Sequence, residues 1–189
     1  MEKLLKYQND KLNNQFIFNL PVSKEVCGRQ CPGCYALKAQ LRFPKTVTPY
    51  RERRLEASKL DSFVDTIVTE LSKTRRKFVS VRIHESGEFY SQEYINKWES
   101  IAKKLPKVQF YAFTKRMKDF DFSSIMSLSN VVIIDSMMHG GLNYDKLENL
   151  SSSIKICPAT ISKSSRCGID CNYCWTKEAQ TNGIQFVKH

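Results

Sequence analysis

The chain has 189 residues, 41% hydrophobic and 11% aromatic, which suits one domain with an ordinary core and argues against disorder. No apolar run approaches the length of a membrane span, and the opening MEKLLKYQND lacks the apolar stretch of a signal peptide, so the expected compartment is the cytosol. Lys and Arg number 30 against 19 Asp and Glu; the resulting +11 favours nucleic acid, nucleotides or phosphorylated metabolites as partners, with solubility as the plain alternative.

In chain order, Phe16–Leu20 reads as a first strand ended by Pro21, and a cysteine-bearing loop follows. Tyr35 to Phe43 begins a helix. From Arg51 to Lys73, Leu60, Phe63, Val64, Ile67, Val68 and Leu71 recur at spacings of three and four, which predicts one helix with a single apolar face. Phe78–His84 alternates as a strand, with Val79, Val81 and Ile83 on one face and Ser80, Arg82 and His84 on the other. Glu85–Glu88 is the turn after it.

A helix is predicted over Gln92–Lys104, with Trp98 on its buried side, and strands over Val108–Phe113 and Val131–Ile134. Phe122–Leu128 is weakly helical. Gly140-Gly141 breaks the chain, Tyr144–Leu150 is predicted helical, and Ser153–Ile156 forms a last strand. Strands alternating with helices imply βαβ crossovers and a parallel sheet. The expected fold is α/β, a partial and open βα barrel over residues 1–156, with a cysteine-rich extension over 157–189. In such sheets ligands gather at the carboxyl ends of the strands. Those ends carry the cysteine loop, Glu85–Glu88, Thr114–Lys115 and Asp135–Ser136.

Seven cysteines with no secretion signal argue against a disulfide framework. They divide into Cys27-x3-Cys31-x2-Cys34 and a second set of Cys157, Cys167, Cys171 and Cys174. Three thiolates can grip three corners of a [4Fe–4S] cube and leave one iron open for chemistry, whereas four ligands close a site. The second set suits a further [4Fe–4S] cluster or a structural zinc ion equally in its paired spacing. A zinc site on the first three cysteines, completed by His84 or a distant cysteine, is the alternative there.

The first motif, with Tyr35 directly after it, resembles the cluster loop of radical S-adenosylmethionine (SAM) enzymes. The resemblance implies that SAM chelates the open iron and is cleaved by one electron to a 5′-deoxyadenosyl radical, with an external reducing electron donor. It also implies that Ser86-Gly87-Glu88 replaces the family's Gly-Gly-Glu-Pro-like turn and holds the methionine ammonium, with Glu85 as a rival for Glu88. Thr114 and Lys115 match the family's third strand end, and Asp135 and Ser136 stand as ribose partners. Over most of the chain, Cys31-Pro-Gly-Cys-Tyr-Ala36, Arg82-Ile-His-Glu-Ser-Gly-Glu88 and Phe110-Tyr-Ala-Phe-Thr-Lys115 resemble the phage-associated "gene product eighty-eight" family. That implies a phage protein acting in the bacterial host cytoplasm.

If the polar strand face lines the barrel lumen, His84 becomes a proton donor or acceptor and Arg82 an anchor for a carboxylate or phosphate. The expected function is a radical SAM-like enzyme acting on an unidentified nucleic-acid or nucleotide substrate, with no membrane partner. The alternative is a non-catalytic nucleic-acid-binding module stabilised by zinc or an iron–sulfur cluster.

Overall fold

The computed structural model describes residues 3–29, 31, 33–137, 144–145, 154–162 and 164–187, the backbone alone at 144, 145 and 187. Five strands form one sheet in the order of the sequence: β1 (Lys6–Tyr7), β2 (Phe16–Phe18), β3 (Val79–Ile83), β4 (Val108–Thr114) and β5 (Val131–Asp135). β1 pairs antiparallel with β2, and the other pairs are parallel. The sheet does not close on itself. It is an open, mostly parallel α/β layer.

The crossover from β2 to β3 begins with two helices, α1 (Lys24–Cys27) and α2 (Tyr35–Arg42). The single helix expected over 51–73 is two, α3 (Val47–Lys59) and α4 (Phe63–Ser72). Leu60 takes an extended conformation between them and is 58% exposed rather than buried. The break is stabilised from another helix, since the Lys97 ammonium donates to the carbonyls of Ser58 and Lys59 at the end of α3 and to that of Leu60, which also accepts the Phe63 N–H. In α3 the inward groups are unusual. Arg54 donates to the Lys3 and Leu4 carbonyls and Arg51 to that of Ala36, so charged residues occupy buried positions.

α5 (Gln92–Lys104) starts where the Ser91 hydroxyl accepts the Tyr94 N–H, and places Glu93 in its first turn and Lys103 and Lys104 in its last. α6 (Ser123–Ser127) follows β4. These helices pack on one sheet face, against Phe18, Val81, Ile83, Phe110, Ala112 and Ile133. Phe18, Phe63 and Trp98 meet edge to face within 5.4–5.6 Å at its centre.

The opposite sheet face is covered by the segment that begins at Cys157. That segment forms α7 (Pro158–Ile161), a 3-10 turn at Tyr173–Trp175 and α8 (Lys177–Asn182). Tyr173, Ala179 and Ile184 pack on Tyr111, Val132 and Ile134. Lys177 donates to the Met126 and Val131 carbonyls, and Gln180 accepts from the Ile133 N–H. The same segment joins the loop before β2: Asn13 donates to the Cys167 carbonyl and Cys167 to that of Lys11. The expected extension is therefore the second covering layer of the sheet.

Residues 144 and 145 are not helical. They form β6 (Tyr144–Asp145), parallel to β7 (Phe186–Val187), and the rest of the helix expected to Leu150 lies outside the described residues, as does Gly140-Gly141. The strand expected over Ser153–Ile156 reduces, among the described residues, to a bridge between Ile156 and Gln185 that stays apart from the main sheet. No helix among the described residues is long and apolar enough to cross a membrane.

Candidate functional site

Short-range rules place the first cysteines. The Ser23 hydroxyl accepts the Val26 N–H and starts α1, whose last residue is Cys27. Gly28 then takes φ +68°, and a side-chain carbon there would meet the Arg116 guanidinium at 2.5 Å. The Cys34 N–H donates to the Cys31 carbonyl, and α2 begins directly after Cys34. Cys27, Cys31 and Cys34 line one cavity of about 110 Å³ together with Ser86, Gly87, Glu88 and Lys115.

Asn19 builds the turn opposite. Its amide oxygen accepts the N–H groups of Glu85 and Ser86, at 2.8 and 3.1 Å. The Ser86 hydroxyl donates to the Leu20 carbonyl, and the Leu20 N–H returns a bond to Ser86. Gly87 has φ +83°, and a Cβ there would sit 2.5 Å from that of Leu20, so only glycine fits without displacement. The turn holds Glu88 almost fully buried. Its carboxylate accepts from the Thr114 hydroxyl at 2.8 Å and the Lys115 N–H at 3.0 Å. Burial pushes the Glu88 carboxyl up, and these two donors oppose it.

The Lys115 ammonium lies 3.0 Å from the Cys31 sulfur. Burial raises the Cys27 thiol to about 11, with the Ser23 peptide opposing it and the Glu88 carboxylate adding. Metal coordination would overcome that cost by taking the thiolate form. Among the described residues, no three His, Cys, Asp or Glu side chains stand where one metal ion could hold them. A cube asks for a different geometry from a zinc ion. Each thiolate takes its own iron, so the three need to face a common space rather than converge on a point. In donor set and in facing one cavity, these residues fit such a cluster.

Thr114 is buried and serves Glu88 directly. Ser136 is buried on the cysteine cavity, with its N–H on the Thr114 carbonyl. Asp135 instead accepts the Met137 N–H at 2.7 Å. Glu85 accepts from the Asn9 and Asn19 amides, and the Tyr35 hydroxyl donates to the Glu85 carbonyl. Tyr35 belongs to the first motif, whereas Asn19 is the site-building residue that the motifs do not mark. Asn19 was visible only as a lone polar residue inside the apolar run Phe16–Leu20.

His84 departs from the alternation of its strand. It takes φ +63°, which swings the ring back to the helix side, against Phe89 and Tyr94. Its Nε2 meets the Tyr94 hydroxyl at 2.9 Å, and the ring is 2% exposed. Burial, with the Arg82 charge adding, lowers the imidazole to about 3, so it is neutral in the fold. That one backbone angle takes the ring, expected on the face of Arg82, to the helix side, while His84 still lines the cysteine cavity beside Arg82.

Arg82 does face the other side. Its Nε donates to the His84 carbonyl at 2.9 Å, and its guanidinium lies 4.3 Å from the centre of Phe113 and 5.0 Å from that of Tyr111. It lines the cysteine cavity and also a larger one of about 350 Å³ under the C-terminal segment. Cys157, Cys167, Cys171 and Cys174 line this second cavity. Burial raises the Cys167 thiol to about 11 and the Cys174 thiol to about 12, and the Arg82 charge opposes both shifts. Gly168, at φ +87°, lets this loop approach the Asn13 carbonyl, which a Cβ would meet at 2.2 Å.

The fold and site together define an open, mostly parallel α/β protein with a cysteine-lined cavity at its strand ends. The family profile of gene product 88 matches residues 2–153, and the chain belongs to that family. The matched span ends before Cys157, so the second cysteine set lies beyond it. Searches of curated proteins and of solved structures return no match.

Proposed function

We propose that the chain is a radical SAM-like enzyme with a partial βα barrel, in which Cys27, Cys31 and Cys34 hold a [4Fe–4S] cluster. The observation that carries this reading is that the three cysteines and the Ser86-Gly87-Glu88 turn line the same cavity. When bound, the cluster supplies an electron and an open iron, the chemistry that splits the sulfonium of SAM. Glu88 receives the methionine ammonium, held in place by Thr114 and the Lys115 peptide. Ser136 lies on the same wall for a ribose hydroxyl. Arg82 anchors the acidic group of the substrate, and the His84 carbonyl positions Arg82. Cys157, Cys167, Cys171 and Cys174 share a cavity without converging on one point, so they would hold a further [4Fe–4S] cluster rather than a zinc ion, and an external donor would supply the electron.

Anaerobically reconstituted protein should contain iron and sulfide near cluster stoichiometry and release 5′-deoxyadenosine from SAM when reduced. Glu88→Gln should weaken SAM binding by about 10- to 100-fold, the scale of one hydrogen bond to a charged group. Zinc without iron, or an intact cluster that leaves SAM whole, would refute the reading. The charge of +11 favours a second reading, a metal-stabilised nucleic-acid-binding module without catalysis. Steeply salt-dependent binding of DNA or RNA with no turnover would select it.

A further inference from the structure

The larger cavity has a chemistry of its own. Tyr111, Phe113, Trp175 and Phe186 line it, with Phe113 and Phe186 at 5.7 Å and Tyr111 and Trp175 at 6.2 Å between ring centres. The Tyr111 hydroxyl donates to Gln15, which satisfies the polar end of that buried ring. Its volume of about 350 Å³, part of which a metal on the four cysteines would take, lies at the low end of the range of about 300–1,000 Å³ for small-molecule sites.

Apart from the four cysteines that share it, its charged side chains are mainly of one sign. Lys11, Arg82 and Arg166 stand on the lining against Glu85, whose carboxylate already accepts from Asn9 and Asn19. Arg166 is paired with Asp170. Arg82 makes no ion pair with a carboxylate among the described residues, its Nε is used on the His84 carbonyl, and its plane lies over Tyr111 and Phe113. What remains is the fork of two terminal nitrogens, a geometry that suits phosphate oxygens in pairs.

We infer that this chamber binds a nucleotide, its base against the aromatic wall and its phosphate on Arg82. A nucleotide combines the flat, weakly polar face that Tyr111 and Trp175 accommodate with the anion that an unpaired guanidinium lacks. The competing account of Arg82 is that it balances the thiolates of Cys167 and Cys174 alone, which would give no phosphate dependence. Treating the nucleotide as a substrate rests on the radical SAM reading, whereas its binding does not.

The test uses the full chain, purified anaerobically with the metal it carries. Adenosine, guanosine, cytidine and uridine 5′-monophosphates are titrated by calorimetry and by tryptophan emission. Parallel arms use the nucleosides, inorganic phosphate, indole-3-acetate and a short single-stranded oligonucleotide. At least one mononucleotide should bind ten times more tightly than its nucleoside, inorganic phosphate or indole-3-acetate. Its quenching should vanish in Trp175→Phe, and saturating SAM should not displace it. Arg82→Gln should weaken the mononucleotide by about 10- to 100-fold and leave the nucleoside unchanged. Arg82→Lys, which keeps the charge and loses the fork, should fall between, and serves alone if the Gln variant does not fold.

Tighter binding of the oligonucleotide than of any mononucleotide would place the nucleotide within a strand; the reverse would make it a free metabolite, and either supports the site. Equal affinity of nucleotide and nucleoside, no loss in either Arg82 variant, displacement by SAM, or no nucleotide binding at all would overturn the inference. SAM cleavage without nucleotide binding would sink it alone. Nucleotide binding without SAM cleavage would leave it standing and sink the proposed chemistry.

Discussion

Replacing His84 by Asn should change how stability depends on pH more than it changes stability itself. In the fold the imidazole is lowered to about 3 by burial, whereas an unfolded chain releases it near 6.5. Between those values the unfolded chain binds one proton more than the native one, so this contribution is whole above pH 6.5 and is lost as pH falls. The slope is about 1.36 kcal/mol per pH unit, or about 2.7 kcal/mol between pH 6.5 and 4.5. Asn accepts φ +63° more readily than most residues and does not titrate.

His84→Asn loses the bond to Tyr94 and should be about 1–3 kcal/mol less stable at pH 7. The deficit should close by pH 4.5. Urea unfolding at half-unit intervals measures both curves, and His139 and His189, present in both proteins, cancel from the difference. Two curves that stay parallel across this window would refute the reasoning.

Gly87→Ala combines a left-handed backbone, at about 1–2 kcal/mol, with overpacking on Leu20, at about 1–3 kcal/mol. Its urea midpoint should fall by the equivalent of about 2–5 kcal/mol, and an unchanged midpoint would show that Leu20 yields freely. Asn19→Ala removes the acceptor for two turn N–H groups and should cost about 1–3 kcal/mol, with faster hydrogen exchange at Glu85 and Ser86. Lys177→Ala strips the donor from the Met126 and Val131 carbonyls. Stability should drop by about 1–3 kcal/mol and limited proteolysis should release the C-terminal segment earlier, whereas unchanged cleavage would mean that this lysine does not secure it.

The parallel strands were legible because β3 alternates apolar and polar residues, while β4 and β5 are short runs rich in β-branched and aromatic residues, too short for a typical helix. The convergence of the cysteine loop with Glu88 and Lys115 was legible through topology, since strand ends in such a sheet share an edge. What periodicity missed came from contacts distant in sequence. The ammonium that stabilises the break after α3 belongs to Lys97, on α5. The buried arginines of α3 are held by carbonyls of Lys3, Leu4 and Ala36. His84 was misplaced because alternation assumes β backbone angles up to the last residue, and the strand has already turned there. The two-residue strands β1, β6 and β7 are too short to leave any pattern.

The bonds between Lys11–Asn13 and Cys167 also have a meaning in time. During synthesis the ribosome completes all five sheet strands before it makes the segment that covers their second face. Tyr111, Phe113, Val132 and Ile134 are therefore bare on a nascent chain that already has its first cysteine set and its turn. A bare apolar face of that kind is open to aggregation and to chaperones, and its closure requires contacts across some 150 residues of chain, which fold late. The larger cavity comes into being only when that last stretch, which supplies Cys157 to Phe186 of its lining, is laid over the face. The second wall of the cavity is thus the last part of the chain to be made and the last to be set in place.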